Sequence, residues 1–447
     1  MSLITPKVNG TYVTATRCEG SYIFDSDGNS WIDGASGSIA CSIGHAHPTV
    51  VKAMSDACQH TSFVYRTQFS NPEIERLSAR LCQKLGYAAS FFVNSGSEAV
   101  ETAIRSAQQY WRERGKATKT RILSRRLSYH GSTIGSLSLS GHWPRRRLAG
   151  PLYGEPTQPT PYPYRAANKE GMTAYGIACA NELERELQQL DADNIAAFIL
   201  EPIIGASGAA IVPPAEYIQR IRNICDRYNL LLIADEVLTG LGRTGRWLAM
   251  EHFGVKADLV CLGKGLNAGY FPISAVLFSS DVYDHIANGS GSFELGHTHS
   301  NHPIGAAVGN AVLDVLEQEQ LVERAEWHGE GLKFTLQELC SKHTIVGEVR
   351  GEGMLIGIEL VDPTNWNNPF PVELSAAIQA TQIAFESGLV IYPSSGFAGV
   401  LGGDAIIIAP PFNIPEQATK QLIDKVDGTL RTLSNSIFQK RRKPHAA

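Results

Sequence analysis

No two of the eight cysteines are spaced as C-x-x-C, and their scatter suggests neither a disulfide framework nor a thiolate metal site. They read as reduced thiols in a cytoplasmic protein, mostly small core residues. The chain also lacks an apolar stretch long enough to span a bilayer, and its start, Met-Ser-Leu-Ile-Thr-Pro-Lys-Val, has no charged-then-apolar leader layout. A strong excess of one charge is missing too. Thirty-nine Lys and Arg against 44 Asp and Glu leave a formal net charge of −5, which gives no general attraction for nucleic acid or an anionic membrane. The basic clusters at 145–147 and 440–443 therefore read as a solvated loop and tail. No internal repeat or low-complexity tract is evident. What is present, 447 residues with 43% hydrophobic content, exceeds what one core usually holds, so two domains are expected.

Strand and helix signals give the organisation. Short aromatic strands, Tyr22-Ile-Phe and Trp31-Ile, separated by Asp-Gly turns, predict a small antiparallel unit in the first ~50 residues. Helices over 103–114, 182–190 and 216–228 then alternate with strands at 90–93, 122–123, 196–200, 230–235 and 259–262, the pattern of a parallel sheet. The proline-rich stretch 151–164 reads as a long surface loop. After a helix over 304–316, the tail supplies helices at 325–339 and 373–387 and strands at 355–360 and 405–408, as in an α+β unit.

Two residues carry chemistry. Lys264 follows the apolar run Asp258-Leu-Val-Cys-Leu-Gly, where a loop leaves a buried strand, and Asp235 ends another apolar run, Leu230-Leu-Leu-Ile-Ala. Ligands of open α/β sheets bind outside the carboxyl ends of the strands. A reactive lysine beside an acid that can partner a pyridinium nitrogen points to pyridoxal phosphate. A phosphate site is available where the strand Ser90-Phe-Phe-Val runs into Asn94-Ser95-Gly96-Ser97-Glu98 and a helix, because free amides at a helix start attract an anion. A plain capped helix would look the same, and Lys264 and Asp235 on neighbouring strand ends tip the reading. Gly240-Leu-Gly-Arg-Thr-Gly matches a dinucleotide pattern, but five residues separate it from its strand, too many for that tight turn. Gly263-Lys264-Gly265 lacks the following Ser or Thr of a P-loop. His297, His299 and His302 lack helical spacing and a supporting Cys or carboxylate set, so no metal is assigned.

Seven motifs, Phe92-Val-Asn-Ser-Gly-Ser-Glu-Ala, Ser128-Tyr-His-Gly-Ser-Thr, Glu201-Pro-Ile-Ile-Gly, Asp235-Glu-Val-Leu-Thr-Gly-Leu-Gly-Arg-Thr-Gly, Leu262-Gly-Lys-Gly-Leu, Gly296-His-Thr-His and Ala409-Pro-Pro, occur in the order found in class III pyridoxal-phosphate aminotransferases, and the resemblance covers the chain from Gly44 to Pro411. It implies a fold-type I α/β architecture: a large domain (55–320) with a mostly parallel seven-stranded sheet, and a small α+β domain built from 1–54 and 321–447. It implies that Lys264 holds the cofactor as a Schiff base and shuttles the substrate proton, and that Asp235 keeps the pyridine nitrogen protonated. Gly96 and Ser97 match the phosphate-binding pair, and Thr298 matches a threonine that reaches the phosphate from the partner of a homodimer. Tyr129 is similar to the aromatic stacked on the ring, Val237 to the apolar residue beneath it, and His130 and Glu201 to residues of the cofactor site wall.

The substrate is less legible. In the ornithine and γ-aminobutyrate branch, a glutamate five residues after the Glu-Pro glutamate pairs with a 2-oxoglutarate-binding arginine; here that position is Ala206, and 397–411 holds no arginine. Arg66, or one of Arg145, Arg146 and Arg147, is left as a replacement. Phe63 and Tyr65 are candidates to line a pocket for an apolar or extended amine. The expected partners are an ω- or β-amine donor and a small keto acid, pyruvate first. A racemase or decarboxylase on the same scaffold remains an alternative, since these reactions diverge only after a common carbanion; a cofactor-bearing binding protein is disfavoured by the intact Lys264 and Asp235.

Overall fold

The computed structural model describes residues 3–8, 10–166, 171–365, 368–398 and 402–442. The basic tail cluster at 440–443 therefore falls outside what is described of side chains, as do residues 399–401 of the arginine-free stretch. Near the N-terminus, β1 (Ala15–Glu19), β2 (Tyr22–Asp25) and β3 (Ser30–Asp33) form the expected antiparallel meander.

The centre of the molecule is a six-stranded sheet made of β4 (Ala89–Val93), β5 (Arg121–Leu123), β6 (Ile195–Leu200), β7 (Leu231–Asp235), β8 (Leu259–Leu262) and β9 (Ser274–Phe278), in the order β4-β9-β8-β7-β6-β5. Every residue of β6 to β9 is buried, which is why these strands read as continuous apolar runs rather than alternating ones. Alternate residues nevertheless face different cores. Phe198, Leu232, Val260 and Leu277 belong to one cluster, and Ile199, Ile233, Cys261 and Val276 to another on the opposite face. The pairs β5–β6, β6–β7 and β7–β8 are parallel, and β9 runs antiparallel to both β8 and β4. The carboxyl ends of β4 to β8 therefore open on one edge.

A seventh strand was expected, and beyond β5 its place holds an isolated parallel bridge between Arg125 and Gln158. Gln158 donates its N–H to the Ser124 carbonyl at 3.1 Å and accepts from the Arg126 N–H at 2.8 Å. Pro156, Pro159 and Pro161 remove the donors that a longer ladder would need. The stretch 151–164 is thus not wholly a surface loop: Gln158 and Tyr162 are buried. Strand β9 went unanticipated.

In the C-terminal part, β10 (Val346–Glu352), β11 (Leu355–Leu360), β13 (Tyr392–Ser395) and β14 (Asp404–Ile408) form a second sheet in the order β10-β11-β14-β13. The short β12 (Leu389–Val390) joins β3 in parallel, with Leu389 opposite Ile32, so the chain's two ends share one sheet. Trp31 stacks on Phe385 at 5.1 Å across this junction. The helix expected over 373–387 divides at Ser375, whose φ of 49° ends a 3-10 turn before the helix Ala376–Glu386.

Candidate active site

The cleft at the strand-end edge begins where β4 stops. The chain turns at Asn94 and enters the helix Gly96–Glu113, where Ser95 accepts the Glu98 N–H at 3.2 Å as N-cap. Apolar positions Ala99, Val100, Ala103 and Ala107 bind one face of this 18-residue helix to the sheet, so its free amides point outward from a fixed support. Gly96 is required by contact: a Cβ there would lie 2.7 Å from Val237 Cγ1. Ser97 Oγ accepts the Ser132 N–H at 3.0 Å and ties the helix start to the Tyr129 loop. An anion of phosphate size finds backbone donors, hydroxyls and a positive helix end here.

Asp235 ends β7 and is buried. Its Oδ2 meets His130 Nδ1 at 2.7 Å, and its Oδ1 accepts the Val237 N–H at 3.2 Å, so the carboxylate is held in one orientation. The other imidazole nitrogen, Nε2, is buried with no hydrogen-bond partner among the described residues. Glu201 follows β6, accepts N–H groups of Tyr129 and Gly205 at 2.9 Å each, and has its carboxyl pushed up chiefly by burial. The first of these bonds fixes the loop that presents the Tyr129 ring.

Lys264 begins a 3-10 turn (Lys264–Leu266) after β8 with φ +33°, a left-handed conformation that costs energy for any residue but glycine. Burial pushes its ammonium down from 10.5 to about 8, against the pull of Asp235 and Glu201, with Arg145 and Arg243 adding to the depression. A lowered pKa makes the neutral, nucleophilic amine available at a pH where an ordinary lysine is charged. In cofactor-free protein, trinitrobenzenesulfonate labelling at Lys264, followed by peptide mass spectrometry, should therefore speed up with pH and level off above about 8. A rate still climbing steeply at pH 10 would contradict this environment.

The cleft is lined by Gly96, Ser97, Tyr129, His130, Glu201, Asp235, Val237 and Lys264, which the sequence singled out, and by Ala206. It also takes in Ala40, Asn94, Asn267 and Ser274, which sequence reasoning missed. Asn94 lay inside a motif already noted, whereas Ala40 and Ser274 come from elements far apart in sequence and left no local signal. Other candidates lie elsewhere. Thr298 is exposed on the turn between Gly296 and Ser300. Phe63 packs edge-on to His299 at 5.8 Å, Tyr65 is 58% exposed, and Arg66 donates to the Leu295 carbonyl at 2.8 Å. None of these four residues lines the Lys264 cleft of its own chain, and Phe63 and Arg66 touch the exposed loop that carries Thr298. The Gly240–Gly245 pattern forms a buried turn, with Arg243 donating to the carbonyls of Met354 at 3.0 Å and Pro410 at 2.8 Å, so it serves packing between segments.

The chain matches the aminotransferase class-III family over residues 4–430. It is 41% identical to an uncharacterized aminotransferase, YodT, of Bacillus subtilis over 97% of this chain and 98% of the relative. It is 33% identical to a putrescine–pyruvate aminotransferase of Pseudomonas aeruginosa, over 91% of this chain and 88% of that protein. Among solved structures, an amine transaminase from an uncultivated Pseudomonas species in its PLP-bound form superposes with a TM-score of 0.90 at 33% identity, covering 97% of this chain and 98% of the other. The protein belongs to the class III aminotransferases, pyridoxal-phosphate-dependent enzymes of fold type I.

Proposed function

We propose that the protein transfers an amino group from an ω- or β-amine to a small keto acid, pyruvate above others, in two half-reactions of ping-pong order. The observation that carries this reading is the convergence of a depressed lysine amine, a fixed carboxylate and an amide-rich anion cup in one cleft. The residues fit pyridoxal phosphate: Gly96 and Ser97 suit its phosphate, Asp235 its ring nitrogen and Lys264 its carbonyl carbon. When bound, that cofactor supplies an electron sink for the carbanion formed at the substrate. Lys264 Nζ carries the proton from the amine-bearing carbon and returns it to complete the transfer. Asp235, oriented by His130, holds a proton at the ring nitrogen. Tyr129 and Val237, which both line the cleft, would cover the faces of the ring and keep water from them, with Glu201 securing the Tyr129 loop.

Ala206 lines this cleft and no arginine occurs in 397–411, so a second carboxylate entering there would stay unpaired, which is strongly disfavoured. The name of the Pseudomonas aeruginosa relative, which couples putrescine with pyruvate, supports the same direction. We expect kcat/KM for pyruvate to exceed that for 2-oxoglutarate by about tenfold or more. A preference for 2-oxoglutarate with ornithine or γ-aminobutyrate as best donor would refute this assignment.

The same reading makes the enzyme a homodimer with shared active sites, in which Thr298 reaches the partner's phosphate cup. Its exposure on a loop that does not line its own cleft supports this, and two-fold dimers are the commonest oligomers. Sedimentation should give a dimer across the active concentration range, and a fully active monomer would rule the arrangement out. The proposal includes the division into 1–54, 55–320 and 321–447, and a cytoplasmic location. No helix among the described residues is long and apolar enough to cross a membrane.

A further inference from the structure

A keto acid brings one carboxylate into the cleft, and that charge needs a cation other than the reacting lysine. The charges of Arg145 and Arg243 both act on the Lys264 amine. Arg243 is spent. It is 2% exposed, and its Nη1 serves the Met354 and Pro410 carbonyls while its plane covers Phe412 at 4.6 Å. Arg145 is not. It stands on the short helix Trp143–Arg146, with Cζ 3.9 Å from the centre of the Tyr129 ring, and its Nη2 reaches the Tyr392 hydroxyl at 3.3 Å, the long end of a hydrogen bond. Its Nη1 is buried with no partner among the described residues.

The neighbours of Arg145 differ from it in kind. Arg146 is satisfied by the Leu137, Ser138 and Ser140 carbonyls at 2.8–3.0 Å and pairs with Glu155 at 2.7 Å. Arg147 is exposed. His142 is pushed down to about 4 by burial, so it is neutral and donates from Nε2 to the Ser395 carbonyl at 2.7 Å. That bond, together with the close approach of Pro144 to Gly396, locks the Arg145 turn against the end of β13. From the same strand, Ser394 donates to the carbonyl of Ala206, a residue of the cleft wall. Arg145 is thus a rigidly mounted guanidinium between a cleft aromatic and the C-terminal sheet, with a buried donor unused.

We infer that Arg145 is the receptor for the keto acid's carboxylate, so that substrate recognition rests on the turn after the Tyr129 motif rather than on the stretch before Ala409-Pro-Pro. Nη1 and Nη2 offer a carboxylate the paired donors that a lysine cannot. This rests on the aminotransferase reading above, and the test separates the two.

The test compares pyruvate with propanal, an acceptor of similar size without the charge, in the wild-type holoenzyme and in Arg145→Met, Arg145→Gln and Arg145→Lys. The ratio of kcat/KM for pyruvate over propanal should fall about 100-fold in Arg145→Met, mostly through KM for pyruvate, and by less in Arg145→Lys, which keeps the charge without the fork. Calorimetric titration with propanoate, which cannot react, should show binding to the wild type and a matching loss in the variants. Arg145→Gln serves if the methionine variant does not fold. A ratio that moves less than threefold, or propanoate binding that is unchanged, overturns the role of Arg145 and leaves the aminotransferase reading intact. A wild-type enzyme that passes nitrogen to neither acceptor overturns both.

Discussion

Replacing Lys264 by alanine should lower turnover by about 10⁴-fold or more while the protein stays folded. The proton transfers assigned to its amine alone account for about 10²- to 10⁴-fold. Loss of the nucleophile that holds and releases the cofactor adds to that. The fold should tolerate the change, because alanine removes a desolvated amine whose ammonium burial disfavours. The left-handed φ at this position stays strained in either protein. Borohydride treatment of the holoenzyme followed by peptide mapping should find the cofactor joined to Lys264 in the wild type and to no residue in the variant. Multiple-turnover activity within tenfold of the wild type would show that another group performs the chemistry.

Asp235→Asn should cost about 10²- to 10³-fold in rate with little loss of cofactor affinity, as expected when one preorganised electrostatic partner is removed from a buried site. Asparagine keeps the shape and retains an oxygen for the Val237 N–H, now 3.2 Å from Oδ1. What it removes is the negative charge that would hold a proton on the ring nitrogen. His130 would keep its place through the amide, since its Nδ1 lies 2.7 Å from Oδ2 and the carboxamide still offers a polar atom there. The measurement is the single-turnover rate with a primary amine beside equilibrium dialysis of the cofactor. Unchanged kinetics would mean that Asp235 does not face the ring.

How much of this was legible depended on how local each cause was. Strands β6, β7 and β8 are buried on both faces, so they announce themselves as apolar runs, and Asp235 and Lys264 stand out as charged residues at the ends of such runs. The cup at Gly96 and Ser97 was equally visible, because capping and helix start are short-range features. Strand β9 went unseen although Ser274–Phe278 is as buried as its neighbours: its antiparallel entry between β4 and β8 is a property of the sheet, not of five residues. The seventh strand was lost to prolines on either side of Gln158. Arg145 was one of several loop arginines in the sequence. Its place over the Tyr129 ring and its unpartnered Nη1 set it apart from Arg146 and Arg147, and its turn is held there by Pro144 and His142 against residues 395–396, some 250 positions away. Phe63 and Arg66, pocket candidates by sequence, instead touch the loop that carries Thr298, a placement that a single chain's sequence pattern does not encode.

The most direct test of Lys264-centred amino transfer is a single half-reaction. Holoenzyme is mixed with L-alanine, and separately with putrescine and other primary amines, in the absence of any keto acid, and the extracted cofactor is quantified by chromatography. Conversion to pyridoxamine phosphate should approach one equivalent per chain, with one equivalent of pyruvate released from alanine, and no conversion should occur in Lys264→Ala. Racemised alanine or released carbon dioxide, with no pyridoxamine phosphate formed from any of these amines, would contradict amino transfer at Lys264.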